Sequence, residues 1–293
     1  MKIVITGATG QLGRLVVEEL LERDMPAGQI VAAGRNVARL EDLADRGVQV
    51  RSIDFDDRDS LRQAFAGADK VLLVSGTATG QRVEQHRNAI AAAKEAGVGL
   101  IAYTSIANAD RAEMKLAAEH QGTEEALRAS GVPFTLLRNS WYLENYTGQF
   151  ATYLEHDAVL GSAGDGRVSA ATRADYAGAA AAVLLLEDQA GKVYELGGDE
   201  PFNLSELAAE LSAATARPVR YQDLPVEQYT EILVGAGLPE GYAAILADSD
   251  LGIARSELLV TSGDLSALLG RPATAMRDAI RTAAGAVTDG QVA

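Results

Sequence analysis

No cysteine occurs anywhere in the 293-residue chain, which rules out disulfides, thiolate metal sites, iron–sulfur clusters and a cysteine nucleophile. Histidine is almost as scarce. His86, His120 and His156 lie far apart without ligand spacing, so no catalytic metal is expected. Long apolar runs are missing too: nothing approaches the about 18 residues that a membrane span requires. The first strand reaches a glycine turn at Gly7, too early for a signal-peptide core. Cytoplasmic placement without a membrane partner is the expectation. Positive charge is in deficit, with 26 Lys and Arg against 41 Asp and Glu and a net charge of −15. The basic residues form no stripe, so the surface repels phosphate backbones and no nucleic-acid partner is expected.

What is present fits an ordinary water-soluble globule: 47% hydrophobic and 23% charged residues, in a chain long enough for one large sheet and a smaller lobe. Short β-branched runs alternate with amphipathic stretches: 2–6 then 11–23, 29–34 then 37–46, 48–53 then 57–66. The rhythm continues through 70–75, 80–96, 99–105, 117–130 and 133–138. Short turns between a strand and a helix imply parallel strands with crossover helices, six strands in all. Gly47, Gly97 and Gly131 stand where helices need left-handed C-caps. After Trp141 the rhythm loosens into a glycine-rich loop, a helix over 173–186, a strand over 192–197 and mostly helical sequence.

The strongest local signal is Thr6-Gly7-Ala8-Thr9-Gly10-Gln11-Leu12-Gly13, which follows an apolar strand and opens an amphipathic helix. Gly7 permits the sharp turn, Gly10 lets backbone N–H groups approach a pyrophosphate, and Gly13 lets helix and strand close up. The pattern predicts an α/β fold, a Rossmann-type doubly wound parallel sheet with a smaller, mainly helical C-terminal lobe. Residues 1–150 are expected to bind the dinucleotide and 151–293 to form the accessory lobe, with 168–198 a place where the chain could return to the sheet. The second strand ends in Arg35-Asn36 where a 2′-hydroxyl-binding acid is common. Arg35 suits a 2′-phosphate, so NADPH is expected over NADH. Asp54 and Phe55 fall at the adenine position, while Ser75, Gly76, Thr77 and Tyr103, Thr104, Ser105 fall at the carboxyl ends of two further strands.

These blocks, with His120-Gln121-Gly122-Thr123-Glu124-Glu125 and the stretch from Ser130 to Asn139, resemble the NmrA-like atypical short-chain dehydrogenases over nearly the whole chain. The segments Gln85-His86-Arg87-Asn88, Leu136 to Asn145, Ala171 to Tyr176 and Leu246 to Asp250 are similar to the bacterial quinone-reductase branch of that family. The resemblance implies that Gly7, Ala8, Thr9, Gly10, Gln11, Leu12, Arg35, Ser75, Gly76, Thr77, Asn139, Ser140, Trp141, Tyr142, Leu143 and Glu144 contact the cofactor. It also implies that Tyr103 and Asn145 are catalytic, and that Tyr103, Trp141, Asn145 and Arg173 frame the quinone. Hydride transfer from NADPH to a quinone without flavin, and an assembly that is a homodimer or weakly associating, come with it.

One departure narrows the chemistry. The wider superfamily's Tyr-x-x-x-Lys pair is missing, since Tyr103 is followed four residues on by Ala107. A reversible alcohol dehydrogenase needs that pair for proton transfer, as an epimerase or ether-bond reductase needs its own acid–base residue. A quinone asks less, because its oxyanion is delocalised. The expected function is NADPH-dependent quinone reduction, with His120 a candidate proton donor. The rival expectation is a non-catalytic, NADP(H)-binding redox-sensing regulator.

Overall fold

The computed structural model describes residues 1–288. The first half repeats a strand and a helix: β1 Ile3–Ile5, α1 Gln11–Glu22, β2 Ile30–Gly34, α2 Glu41–Asp45, β3 Gln49–Ser52, α3 Arg58–Phe65, β4 Lys70–Leu73, α4 Arg82–Glu95, β5 Leu100–Ile106, α5 Lys115–Ser130 and β6 Phe134–Asn139. Then come α6 Glu144–Thr147, α7 Phe150–His156, β7 Ala158–Gly161, α8 Arg173–Leu185, β8 Val193–Leu196, α9 Leu204–Thr215 and β9 Arg220–Asp223. The chain closes with α10 Val226–Gly235, α11 Glu240–Ala254, α12 Asp264–Leu269 and α13 Met276–Thr288.

The large sheet has the order β3-β2-β1-β4-β5-β6-β8 with every neighbouring pair parallel. Six strands are those expected from the sequence. The seventh is β8, which aligns Val193 with Leu136 and Leu196 with Asn139. The strand order turns back between β1 and β4, and in such a sheet the crevice outside the carboxyl ends at that point receives the ligand.

Central strands are buried on both faces, which explains continuous apolar runs such as Ile3-Val4-Ile5. On one face α1 and α8 pack over Ile5, Ala32, Leu72 and Ala102. On the other, α3, α4 and α5 pack over Val4, Val31, Val71 and Tyr103. The alanine run of α8 is explained by proximity: a Cβ on Gly178 would stand 2.7 Å from Leu269 Cδ2. Thr172 caps α8 by accepting the Asp175 N–H. Gly47, Gly97 and Gly131 adopt positive φ (90°, 72° and 75°), as their C-cap positions require.

Beyond β6 a third cluster gathers Tyr146, Phe150, Tyr153, Phe202 and Leu207. A parallel pair, β7 with β9, also lies there, where the sequence suggests mainly helices. The sequence of β9, Arg-Tyr-Gln-Asp, has too little apolar character to announce a strand, and its pairing partner is some 60 residues away in sequence.

Candidate cofactor and substrate site

All seven strands of the large sheet are parallel, so the ends of β1, β2, β3, β4 and β6 that carry the expected contacts share one edge. At β1 the turn is built from glycine. Gly7 has φ +63°, and the Gly10 N–H donates to the Gly7 carbonyl at 2.9 Å. A Cβ on Gly13 would stand 2.4 Å from that same carbonyl oxygen. The turn delivers the chain into α1 with Gly10 as N-cap, no side-chain cap and no acid in the first turn. The first N–H groups of this helix are therefore left for an anion, aided by the helix dipole. Gln11 is exposed beside them, whereas Ala8 and Leu12 are buried beneath the turn.

Gly34, at the end of β2, was not singled out from the sequence. Its missing side chain matters, because a Cβ there would lie 2.6 Å from Thr9 Cγ2. The next residue, Arg35, is exposed and forms no ion pair among the described residues, whereas Arg14 nearby is committed to Glu18 and Asp42. Asp54 is exposed and uses one carboxylate oxygen to accept the Asp56 N–H. Phe55 is half-buried, edge-on to His86 at 5.9 Å between ring centres.

The loop after β4 is held by two side chains that the sequence did not flag for this task. His86 Nε2 accepts the Gly76 N–H at 3.1 Å, and Arg82 Nε donates to the Gly76 carbonyl at 2.6 Å. The Ser75 N–H donates to Thr104 Oγ1, and Thr77 is exposed. Behind the clamp, the Thr123 hydroxyl donates to the Glu119 carbonyl and so receives the His86 Nδ1 proton at 2.9 Å. His86 is thereby fixed as the neutral Nδ1–H tautomer. Burial, with Arg82 adding to it, pushes its pKa down to about 3.

Tyr103 belongs to this buried layer and not to the open edge. Its side chain is 0% exposed, and its hydroxyl lies 2.8 Å from His120 Nδ1. The assignment of Tyr103 as a substrate-contacting catalytic residue is therefore corrected: β5 points it toward α4 and α5, under the sheet. His120 lies in the same buried layer. Arg82 faces its Nε2 at 3.4 Å and only donates, leaving Nδ1–H for Tyr103. Burial holds the His120 pKa well below its ordinary value, so the ring is neutral.

A second constellation forms where β6 ends. Asn139 and Ser140 are buried, Ser140 Oγ donates to the Leu258 carbonyl, and Asn139 Oδ1 has no protein partner. Trp141 and Tyr142 are half-buried, and the backbone carbonyl of Trp141 accepts the Tyr176 hydroxyl. Leu143 is buried, and its N–H donates to the Ala171 carbonyl. Arg173, first residue of α8, closes the group. Its guanidinium stands 4.5 Å from the Tyr142 ring centre, donates to Asn145 Oδ1 at 3.0 Å and pairs with Glu144 at 3.5 Å. The structure thus joins Tyr142, Glu144, Asn145 and Arg173.

Behind both constellations Arg138 forms a buried bidentate pair with Glu124 at 2.9 and 2.8 Å, and reaches Glu195 at 2.9 Å and Asp110 at 3.0 Å. The Ser105 hydroxyl donates to the same Glu124. This network ties β5, α5, β6 and β8 together directly below the candidate edge.

A dinucleotide fits these features. The uncapped N-terminus of α1, the glycine cradle that Cβ atoms would fill, the unpaired Arg35 and the orphaned Asn139 oxygen each match a part of it. Among the described residues no group of three or more metal-binding side chains occurs, and no helix is long and apolar enough to cross a membrane.

Comparison with known proteins agrees with this geometry. The chain is 48% identical over 278 residues to quinone oxidoreductase 2 of Escherichia coli, covering 95% of this chain and 97% of that one. The crystal structure of the E. coli NADPH-dependent quinone oxidoreductase complexed with NADPH superimposes with a TM-score of 0.93, covering 96% of this chain and 99% of that one. Triphenylmethane reductase of Citrobacter sp., complexed with NADP(H), is 40% identical with a TM-score of 0.91, covering 96% and 100%. The model of the NmrA-like family matches residues 1–253, and the chain belongs to that family.

Proposed function

We infer that this protein is an NADPH-dependent quinone reductase. The observation that carries the reading is one continuous edge: an uncapped, acid-free helix N-terminus, an unpaired Arg35 beside it, and the Tyr142–Arg173–Asn145 group beyond β6. It is supported by 48% identity with the E. coli quinone oxidoreductase and by the NADPH complex of that fold. NADPH, when bound, supplies the hydride. The chain's residues do the rest. Gly7, Gly10 and Gly13 let α1 seat the pyrophosphate. Arg35 pairs the 2′-phosphate with a charge-assisted bond. Asn139, Tyr142 and Asn145, oriented by Arg173, border the nicotinamide, and Trp141 offers a half-buried apolar face for a flat ring. With both buried histidines neutral, protein acid–base catalysis is not what this edge provides, which suits an acceptor whose oxyanion is delocalised.

The same reading puts the enzyme in the cytoplasm, acting on a small-molecule quinone and associating as a homodimer. The test is NADPH oxidation by purified protein with and without menadione, repeated with NADH. Menadione-dependent turnover that prefers NADPH is expected. Arg35→Glu should then raise the KM for NADPH at least tenfold, about 1.4 kcal/mol of lost binding, and leave NADH nearly unchanged. Tight NADPH binding without turnover would instead favour a cofactor-sensing regulator.

A further inference from the structure

A second group of polar side chains sits one residue beyond Asn145, inside the lobe. Tyr146 is 7% exposed and its hydroxyl is buried without a partner; Ser162 is 6% exposed and its Oγ is also unpartnered. Such groups cost about 1–3 kcal/mol each when left unsatisfied. The Asp250 carboxylate is brought against the same corner: its Oδ2 accepts the Ser162 N–H at 2.9 Å and would lie 2.6 Å from a Cβ on Gly161. Gly161 thus leaves room for the acid to reach in. Four tyrosines, Tyr146, Tyr153, Tyr221 and Tyr229, feel the Asp250 charge. They come from α6, α7, β9 and α10. Of these, Tyr221 is already engaged, with its hydroxyl donating to Asp223 and accepting the Ala163 N–H.

The location connects this corner with the carboxyl edge. Tyr146 follows Asn145 in the single turn of α6, and α11, which carries Asp250, also lies over the loop after β5. There Asp248 accepts the Lys115 N–H, and Gly252 meets Met114.

We propose that Tyr146, Ser162 and Asp250 form a subsite that holds the distal carbonyl oxygen of a neutral quinone, with Tyr153 and Tyr229 contacting its ring. The proposal rests on the quinone-reductase reading and names the substrate class of that site. Aromatic walls suit a flat ring, and the two free hydroxyls are donors that a carbonyl oxygen satisfies. Asp250 donates as well, because burial pushes its pKa up to about 7, Asp223 adds to the rise, and only the Ser162 N–H opposes it. No cation stands among the groups that set its protonation.

Tyr146→Phe, Asp250→Ala and Asp250→Asn test it, read by the KM for menadione, the Kd for NADPH and Tm. Tyr146→Phe and Asp250→Ala should each raise the menadione KM roughly tenfold, the worth of one hydrogen bond to a polar ligand, and leave the NADPH Kd unchanged. Tyr146→Phe should keep or raise Tm, since it deletes a hydroxyl that has no partner in the protein. Asp250→Asn preserves a neutral donor, so its menadione KM should stay near wild type and no longer rise as pH increases through 7. Menadione KM values equal to wild type in both Tyr146→Phe and Asp250→Ala overturn the subsite. If the wild-type protein binds NADPH yet reduces no quinone, the functional reading fails separately. Calorimetric titration of menadione into the NADPH-loaded protein then decides the subsite: binding that weakens in both variants supports it, and binding that is absent or unaffected rejects it.

Discussion

The Gly76 loop shows how far single residues can be read. Gly7 and Gly13 were legible because each meets a local backbone demand, a positive φ at Gly7 and a forbidden Cβ at Gly13, that no other residue satisfies, and Gly10 because it completes the spacing between them. His86 was not, because its partners, the Gly76 N–H and Thr123 Oγ1, come together only after α4 and α5 pack. Tyr103 misled for the same reason: its position near a strand end was legible, whereas the face on which it lies depends on the strand's register. The His86 clamp can be taken apart chemically. An Asn side chain places its amide near Nδ1 and keeps the Thr123 bond; a Gln side chain places an oxygen near Nε2 and keeps the Gly76 bond. If the clamp serves the cofactor, His86→Asn should weaken NADPH binding by roughly five- to tenfold, one neutral hydrogen bond, and His86→Gln by much less. Kd values for NADPH that track Tm in both variants would mark His86 as merely structural.

At the scale of elements, the strand–helix alternation up to β6 was plain from period and turn chemistry, and the strand at 193–196 was visible as a strand. Its place beside β6 depends on Arg138 reaching Glu195, and on the Ser140 N–H donating to the Leu196 carbonyl. Neither is encoded locally. The β7–β9 pair was hidden because its four-residue strands are short and mostly polar on the β9 side. How β2 meets the glycine turn is a question for substitution at Gly34. Gly34→Ala puts a methyl 2.6 Å from Thr9 Cγ2 and 2.8 Å from its Oγ1, so overpacking should cost about 1–3 kcal/mol. Removing the obstructing atoms with Thr9→Ala should restore more than half of that loss in the double variant. Gly13→Ala has no such remedy, since its methyl meets the backbone of Gly7 and Ala8. Denaturant midpoints of the two single and one double variants decide it, and strict additivity of Thr9→Ala with Gly34→Ala would show that the two residues do not collide.

For the whole molecule, acid stability is set by three buried groups acting in opposite senses. His86 and His120 are held neutral in the fold, with pKa values below the ordinary 6.5. Their contribution is fully present above that pH and falls by about 1.4 kcal/mol per unit for each group as the unfolded chain takes up protons. Asp250 works the other way. Its pKa is raised from 3.8 to about 7, so the folded state binds a proton that the unfolded state releases, and stability rises as pH falls between these values. Two groups against one leave a net loss of about 1.4 kcal/mol per unit between roughly pH 6 and 5. Nearer pH 4 the carboxylates held low by their partners, Glu124 beside Arg138 and Glu257 beside Arg255, lose their pairing and steepen the fall. Asp250→Asn removes the opposing group, so its stability should drop about twice as fast as wild type over the same range. His86→Asn removes one imidazole and should leave the curve nearly flat. Urea unfolding midpoints at a series of pH values, at constant ionic strength, separate these slopes. An Asp250→Asn slope identical to wild type would mean that Asp250 is ionised in the fold at neutral pH, which would also remove it as a hydrogen-bond donor to the quinone.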